Sequence, residues 1–248
     1  MKKKKSWKYK LLVSSAFLLV ILAVGFFVFV SSYYKAQTYA QESLQSDSGV
    51  TVKDQKELVF EPVSNAENIG FIFYQGAKVD AAAYAPMAKE IAKQGYKVII
   101  PHLPFRLAIF SPDWADKVIR NHPEIDAWVI GGHSLGGVMA SDYASRHEKI
   151  KGLVLLASYP QDTVDLSVAP VQVLSIWGSN DRVADIETIQ AAKAVMPADA
   201  KFIEIEGGNH AGFGDYGPQK GDGKASVPNK EQTEQTSDAI VELLDGLQ

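Results

Sequence analysis

Short apolar runs rich in β-branched residues alternate with helix-like stretches from about residue 57 to residue 248. The apolar runs cover residues 58–63, 69–74, 97–101, 127–130, 152–157, 171–177 and 201–205. Helical spacing ending in Gly marks residues 81–95, and later stretches at 113–123, 135–147, 185–196 and 234–247 fill other gaps. The alternation predicts an α/β fold with a doubly wound, mainly parallel sheet flanked by helices, and ligand sites at the carboxyl ends of the strands.

Length and charge narrow the classes of protein that fit. Residues 57–248 are enough for one well-buried α/β domain and too few for two comfortable ones. The chain has no cysteine, which excludes disulfides, thiolate metal sites and a cysteine nucleophile. Six lysines precede residue 11, so the net charge of −4 leaves −10 on residues 11–248. Such an acidic domain repels phosphate backbones, and we expect no nucleic-acid partner.

The N-terminal segment predicts a membrane-spanning helix. Residues 11–30 contain no charge, and as a helix they would span about 30 Å of hydrocarbon. We interpret this run as a transmembrane signal anchor, with residues 1–10 as a cytoplasmic basic segment and the folded domain outside the cell membrane. The alternative is a secreted protein, released by cleavage near Thr38–Ala40. Residues 31–56 are polar and lack periodicity, which predicts a spacer.

A Gly-x-Ser-x-Gly motif follows the run at 127–130. Gly132, Ser134 and Gly136 stand between that predicted strand and a predicted helix. In this context the motif is typical of a nucleophile elbow, a sharp turn that projects the serine hydroxyl above the sheet. We expect small residues around Ser134 because larger ones would collide with the neighbouring strand and helix. The alternative is a Gly-rich turn with an incidental serine.

Two later residues supply the partners that an elbow serine needs. Asp181 and His210 each follow the end of a predicted strand, and they come in the chain order serine, acid, histidine. His210 would remove the proton of Ser134, and Asp181 would orient the imidazole and stabilise its cation. We expect the oxyanion to be held by the backbone N–H groups of Leu135 and Ala77, with Gly76 the less suitable donor.

Other polar and aromatic residues have alternative interpretations. His133, inside the elbow, fits packing better than catalysis. His102 follows a strand and is a candidate for substrate binding, as are Phe105 and Arg106 in the segment 102–112; a surface or packing role is the alternative for His102. Asp215 and Asp222 lie in a Gly-rich loop near residues 206–224. They lack the spacing of a calcium loop, so a role in making this loop rigid explains them better. We expect no metal and no cofactor.

These motifs resemble a known group of proteins. The stretches at residues 73–110, 131–137, 177–183 and 207–223 resemble the small dienelactone-hydrolase-like branch of the α/β-hydrolase superfamily, in bacterial proteins with an N-terminal membrane segment. The resemblance implies the α/β-hydrolase fold, a Ser-Asp-His hydrolase and His210 as its histidine. It does not imply a substrate. Better-studied dienelactone hydrolases use a cysteine nucleophile, which this chain lacks, so lactone hydrolysis does not carry over.

The sequence therefore predicts a serine hydrolase that cleaves a carboxylic ester or related acyl bond in a small molecule or in envelope material. Only 46 residues separate Ser134 from Asp181, which leaves no room for a large cap domain. Two alternatives stay open: a non-catalytic binding or scaffold protein that retains the fold, and a peptidase or thioesterase with the same triad. The oligomeric state is not predicted.

Overall fold

The computed structural model describes residues 7–248, which fall into two units, one ending at Tyr33 and the other comprising Tyr34–Gln248. Each unit is described by itself.

The first unit is a single long helix, α1 (Trp7–Ser31). Its 25 residues are long and apolar enough to cross a membrane, and the side chains at 11–29 are exposed. Length and composition fit a membrane anchor and a signal sequence equally well. Of the predicted basic segment 1–10, residues 1–6 lie outside the described residues, and Trp7–Lys10 already belong to the helix.

The second unit is built around an eight-stranded sheet. Its strands are β1 (Val50–Asp54), β2 (Glu57–Pro62), β3 (Ile69–Tyr74), β4 (Lys97–Pro101), β5 (Ala127–His133), β6 (Ile150–Leu156), β7 (Gln172–Gly178) and β8 (Lys201–Ile205). They lie in the order β1-β2-β4-β3-β5-β6-β7-β8. From β4 to β8 all neighbours are parallel, whereas β2 is antiparallel to both β1 and β4. The mainly parallel sheet is as predicted.

Helices cover both faces of the sheet. They are α2 (Thr38–Ser43), α3 (Ala85–Lys93), α4 (Ala115–Asn121), α5 (Leu135–Arg146), α6 (Ile186–Ala191) and α7 (Asn229–Asp245). Strand side chains point alternately to the two faces, so Phe71 and Phe73 join one apolar core with α3 and α7. Ile72 and Tyr74 join the other core with α4 and α5. This is the predicted doubly wound α/β-hydrolase architecture. The connection from β6 to β7 contains neither helix nor strand.

The prediction that residues 31–56 form a polar spacer is wrong from Tyr34 onward. Helix α2 and strand β1 both lie in this range, and β1 pairs antiparallel with β2 at the sheet edge. Tyr34 forms a parallel bridge with Val79, and the N–H of Ala40 donates to the Asp215 carboxylate over 2.8 Å. The segment escaped prediction because few of its side chains are buried and its partners lie far away in the chain.

Candidate active site

Ser134 lies at the junction of β5 and α5, in a strained backbone conformation. Its φ of 52° and ψ of −123° place a non-glycine residue at positive φ, which costs on the order of 1–3 kcal/mol and occurs mainly where function requires it. Two contacts hold the turn: the Ser134 N–H donates to the Leu156 carbonyl at 2.9 Å, and the Ser158 hydroxyl donates to the Ser134 carbonyl at 2.8 Å. The geometry is that of the predicted elbow.

The glycines around Ser134 are required by close packing. A Cβ atom at Gly132 would overlap the backbone of Gly136 in α5, and one at Gly136 would overlap the carbonyl oxygen of Tyr74 at the end of β3. Both collisions are with backbone atoms, which cannot move aside as a flexible side chain can. The predicted reason for small residues beside Ser134 is confirmed.

Asp181 and His210 meet at the carboxyl ends of β7 and β8. The Nδ1 atom of His210 lies 2.8 Å from Oδ2 of Asp181, and both side chains are almost completely buried. The other carboxylate oxygen, Oδ1, accepts the N–H groups of Val183 at 2.8 Å and Ala184 at 2.9 Å. Because Asp181 accepts the Nδ1 proton, Nε2 of His210 is left to accept a proton from a nucleophile.

His210 approaches the elbow beside the residue that precedes Ser134. The ring centroids of His133 and His210 are 4.4 Å apart. Within residues 7–248, no hydrogen bond joins Ser134 Oγ to His210 Nε2. The structure therefore brings Asp181 and His210 into direct contact and places His210 against the elbow.

Burial keeps His133 neutral. Its Nδ1 lies 2.8 Å from the Tyr84 hydroxyl, whose oxygen also accepts the Gly76 N–H at 3.0 Å. Because the Tyr84 oxygen already accepts from Gly76, we assign its O–H as the donor to His133 Nδ1. This assignment places the ring proton of neutral His133 on Nε2. Burial lowers the pKa of His133 well below its usual value, and the nearby His210 lowers it further. His133 is thus a packing residue, as expected, and a hydrogen-bond acceptor as well.

The loop after β3 leaves one N–H group available to an oxyanion. The Gly76 N–H donates to Tyr84, and the Lys78 N–H donates to the carbonyl of Arg106 at 2.9 Å. Between them, the Ala77 N–H has no acceptor within residues 7–248. Leu135 is the first residue of α5, where the N–H has no intrahelical acceptor. Ala77 and Leu135 are the two predicted donors.

His102 takes part in a different contact. Its Nε2 lies 2.6 Å from Oδ1 of Asp54, the last residue of β1, and more than a third of its side chain is exposed. No hydrogen bond or ring contact within the described chain joins it to Ser134, Asp181 or His210. Because of this contact with Asp54, the packing alternative describes His102 better than substrate binding. The sequence could not predict the contact, since it did not reveal β1.

Phe105 and Arg106 lie next to residues 75–78, the loop after β3 that carries Ala77 and that we call the oxyanion loop. Both have positive φ, at 55° and 59°, and the Arg106 carbonyl accepts the N–H of Lys78, which follows Ala77. The Phe105 ring packs edge-on against Phe110, with centroids 5.6 Å apart. Their position at this loop is compatible with the predicted substrate contacts.

Two residues, Tyr84 and Asp222, contribute to the site in ways that the sequence did not predict. Tyr84 connects the oxyanion loop to His133, although its spacing in the chain indicated only a helix face. Asp222 accepts backbone N–H groups on both sides of the Asp181–His210 pair. The carboxylate of Asp215, in contrast, accepts the N–H of Ala40 in α2. No sequence signal indicates this role of Asp222, because the groups that donate hydrogen bonds to its carboxylate are backbone N–H groups.

Comparison with solved structures gives the same fold. A predicted CIB-like hydrolase from Thermoplasma acidophilum is 18% identical, with a TM-score of 0.59 over 79% of this chain and 100% of that one. The esterase domain of a Rhodothermus marinus protein is 14% identical, with a TM-score of 0.57 over 75% and 90%. A Klebsiella pneumoniae protein assigned as a dienelactone hydrolase is 16% identical, with a TM-score of 0.57 over 76% and 92%.

Among curated proteins, none matches the chain significantly in sequence. Residues 70–234 match the family model described as "Alpha/beta hydrolase family". This range begins in β3, includes Ser134, Asp181 and His210, and ends in α7. With the elbow and the buried Asp181–His210 pair in place, the chain belongs to the alpha/beta hydrolase family.

Proposed function

We propose that this hydrolase cleaves a carboxylic ester or a related acyl bond through Ser134, His210 and Asp181. The observation that carries the proposal is the buried 2.8 Å contact between Asp181 and His210 beside a strained elbow serine. A carboxyl group buried against an imidazole and a serine at positive φ both cost free energy, and catalytic sites are where such costs are retained.

In the proposed mechanism, Ser134 Oγ attacks the acyl carbon while its proton moves to Nε2 of His210. Asp181 holds Nδ1–H and stabilises the imidazolium. The N–H groups of Ala77 and Leu135 donate to the oxyanion of the tetrahedral intermediate. His210 then protonates the leaving group, and the acyl-enzyme forms. Water then attacks the acyl carbon of the acyl-enzyme and loses a proton to His210. His210 returns this proton to Ser134 Oγ, and the acid product leaves.

Labelling with a fluorophosphonate probe tests this assignment. The full chain in detergent should label at Ser134, Ser134→Ala should not label, and His210→Ala should label at least a hundredfold more slowly. Ser145→Ala, on the exposed side of α5, and His102→Ala are the matched controls and should label like wild type. A folded wild-type protein that never labels would overturn the proposal in favour of a binding or scaffold role. Turnover of matched ester, thioester and amide substrates then defines the bond cleaved.

We also propose that α1 stays attached as a single-pass anchor, with its lysine-rich N-terminus in the cytoplasm and the hydrolase domain outside. The pairing of Tyr34 supports retention over cleavage. Its N–H donates to Lys78 at 2.8 Å, and its carbonyl accepts the Asp80 N–H at 2.9 Å. Cleavage near Ala40 would remove this support for the loop that follows Ala77. Intact mass of the membrane-bound protein decides: a chain that begins near residue 41 would contradict the anchor.

A further inference from the structure

One carboxylate, that of Asp222, accepts hydrogen bonds from both loops that carry the proposed acid and base. Its Oδ1 lies 3.3 Å from the N atom of Arg182 and 3.4 Å from that of His210. Its Oδ2 accepts the N–H of Ala211 at 2.8 Å, and Oδ1 also accepts the N–H of Gly223 at 2.7 Å. Arg182 follows the acid directly, and Ala211 follows the histidine.

The residues after Asp222 add contacts to the same two loops, and we refer to residues 222–224 as the strap. The Gly223 carbonyl accepts Nδ2 of Asn209 at 2.7 Å, and the Lys224 carbonyl accepts Nδ2 of Asn180 at 3.2 Å. A Cβ atom at residue 223 would overlap the carbonyl oxygen of Asn180. Glycine at this position thus lets the strap lie directly on the loop that carries Asp181.

These contacts bear on the Asp181–His210 hydrogen bond because its two partners come from separate loops, 29 residues apart in the chain. The relative position of the loops sets the distance from the carboxylate to the imidazole. Hydrogen bonds to an ionised carboxylate are roughly twice as strong as neutral ones. An amide in place of Asp222 would keep only one accepting oxygen, and its NH₂ group would face an N–H donor.

We propose that Asp222 is a positioning residue that holds the Asp181 and His210 loops in register and so sets the geometry of the acid–base pair. The inference rests on the proposed function. Asp222 acts through backbone N–H groups and does not touch the substrate. Displacing a reacting group by about 1 Å can cost around a hundredfold in rate, so a change in the strap affects the chemical step more than substrate binding.

The first test compares Asp222→Asn with Asp215→Asn in the full chain in detergent. Asp222→Asn should lower kcat for a simple ester about 10- to 100-fold and leave KM within about twofold. Asp215 is the matched control, since it lies in the same loop and its carboxylate accepts the N–H of Ala40. Asp215→Asn should stay within about twofold of wild type in kcat. Equal loss in the two variants would reduce the role of Asp222 to general loop rigidity.

A double-mutant cycle with Asp181→Asn separates positioning from unrelated damage. If Asp222 acts through the Asp181–His210 pair, adding Asp222→Asn to Asp181→Asn should lower kcat by less than about threefold more. Full multiplication of the two losses would overturn the proposal. Should Asp222→Asn not fold, Asp222→Glu keeps the charge on a longer side chain and enters the same cycle, with a smaller expected loss.

A readout independent of turnover is the downfield proton resonance of His210 Nδ1–H in its bond to Asp181. It should be present in wild type and in Asp215→Asn, and shifted or lost in Asp222→Asn. If wild type neither labels at Ser134 nor turns over esters, the proposed function fails while this resonance still tests the strap. If wild type is active and Asp222→Asn matches it in kcat and in this resonance, the inference alone fails.

Discussion

Two regions border the candidate site, and they are held in different ways. One region comprises the loops that carry Asp181 and His210, and the other is the segment 102–112. Asp181 and His210 have side-chain exposures of 0% and 2%, and the strap bonds to both of their loops. The segment 102–112 consists of short 3-10 turns, and Phe105 and Phe110 remain 49% and 52% exposed. If the proposed function holds, the site combines groups fixed for chemistry with a surface that can adapt to different acyl groups.

The stability of the buried region around Asp181 and His210 can be tested through His133, whose ring lies against that of His210. Burial holds the pKa of His133 well below its usual value, whereas in the unfolded chain it titrates near its ordinary value of about 6.5. Below that pH the unfolded chain takes up a proton that the folded protein does not. The free energy of unfolding should therefore fall as pH falls, by at most about 1.4 kcal/mol per pH unit from this group, or about tenfold in the equilibrium.

His133→Asn removes this titration and keeps an acceptor oxygen near the position of Nδ1, within reach of Tyr84. Urea unfolding at pH 8, 7, 6 and 5, followed by tryptophan fluorescence, should show a shallower loss of stability between pH 6.5 and 5 than wild type. Ser145→Ala, on the exposed side of α5, changes no titratable group, so it is the control and should keep the wild-type slope. Parallel curves for wild type and His133→Asn would mean that His133 accepts a proton in the folded protein.

The same contrast explains what the sequence could predict. Strands β3, β4 and β8 have the predicted bounds, because the residue pattern that predicts each of them is local to that strand. Asp181 and His210 were predicted as residues beyond strand ends, and parallel strands brought them together. Strand β1 was missed because it is a short edge strand with a single buried residue, Val50. Without β1, the pairing of His102 with Asp54 could not be foreseen.

The contacts of Asp222 show a second limit of sequence reasoning. Its partners are backbone N–H groups of residues that lie up to 40 positions away, and a backbone N–H has no residue-type signal. The position of β2, antiparallel between β1 and β4, was missed for a similar reason, since periodicity gives the type of an element and not its neighbour. Local pattern therefore predicted the candidate triad residues, and only the structure revealed the hydrogen bonds that hold Asp181 and His210 in place.

A substitution in the segment 102–112 should have the smallest effect on turnover, and Phe110→Ala tests this expectation. An aromatic pair contributes about 0.5–1.5 kcal/mol beyond its buried area, a factor of roughly 2 to 10. Phe110 presents an exposed ring, and a stacking or packing contact of this size with a long acyl chain would be lost in Phe110→Ala. We therefore expect KM for esters with long acyl chains to rise by about that factor, and kcat for an acetyl ester to stay unchanged. Val168→Ala, 94% exposed and shortly before the amino end of β7, is the control and should change neither constant. Equal KM values for Phe110→Ala and wild type at every chain length would remove the segment 102–112 from the substrate site, whereas a fall in kcat for the acetyl ester would show that it also supports the oxyanion loop through Arg106 and Lys78.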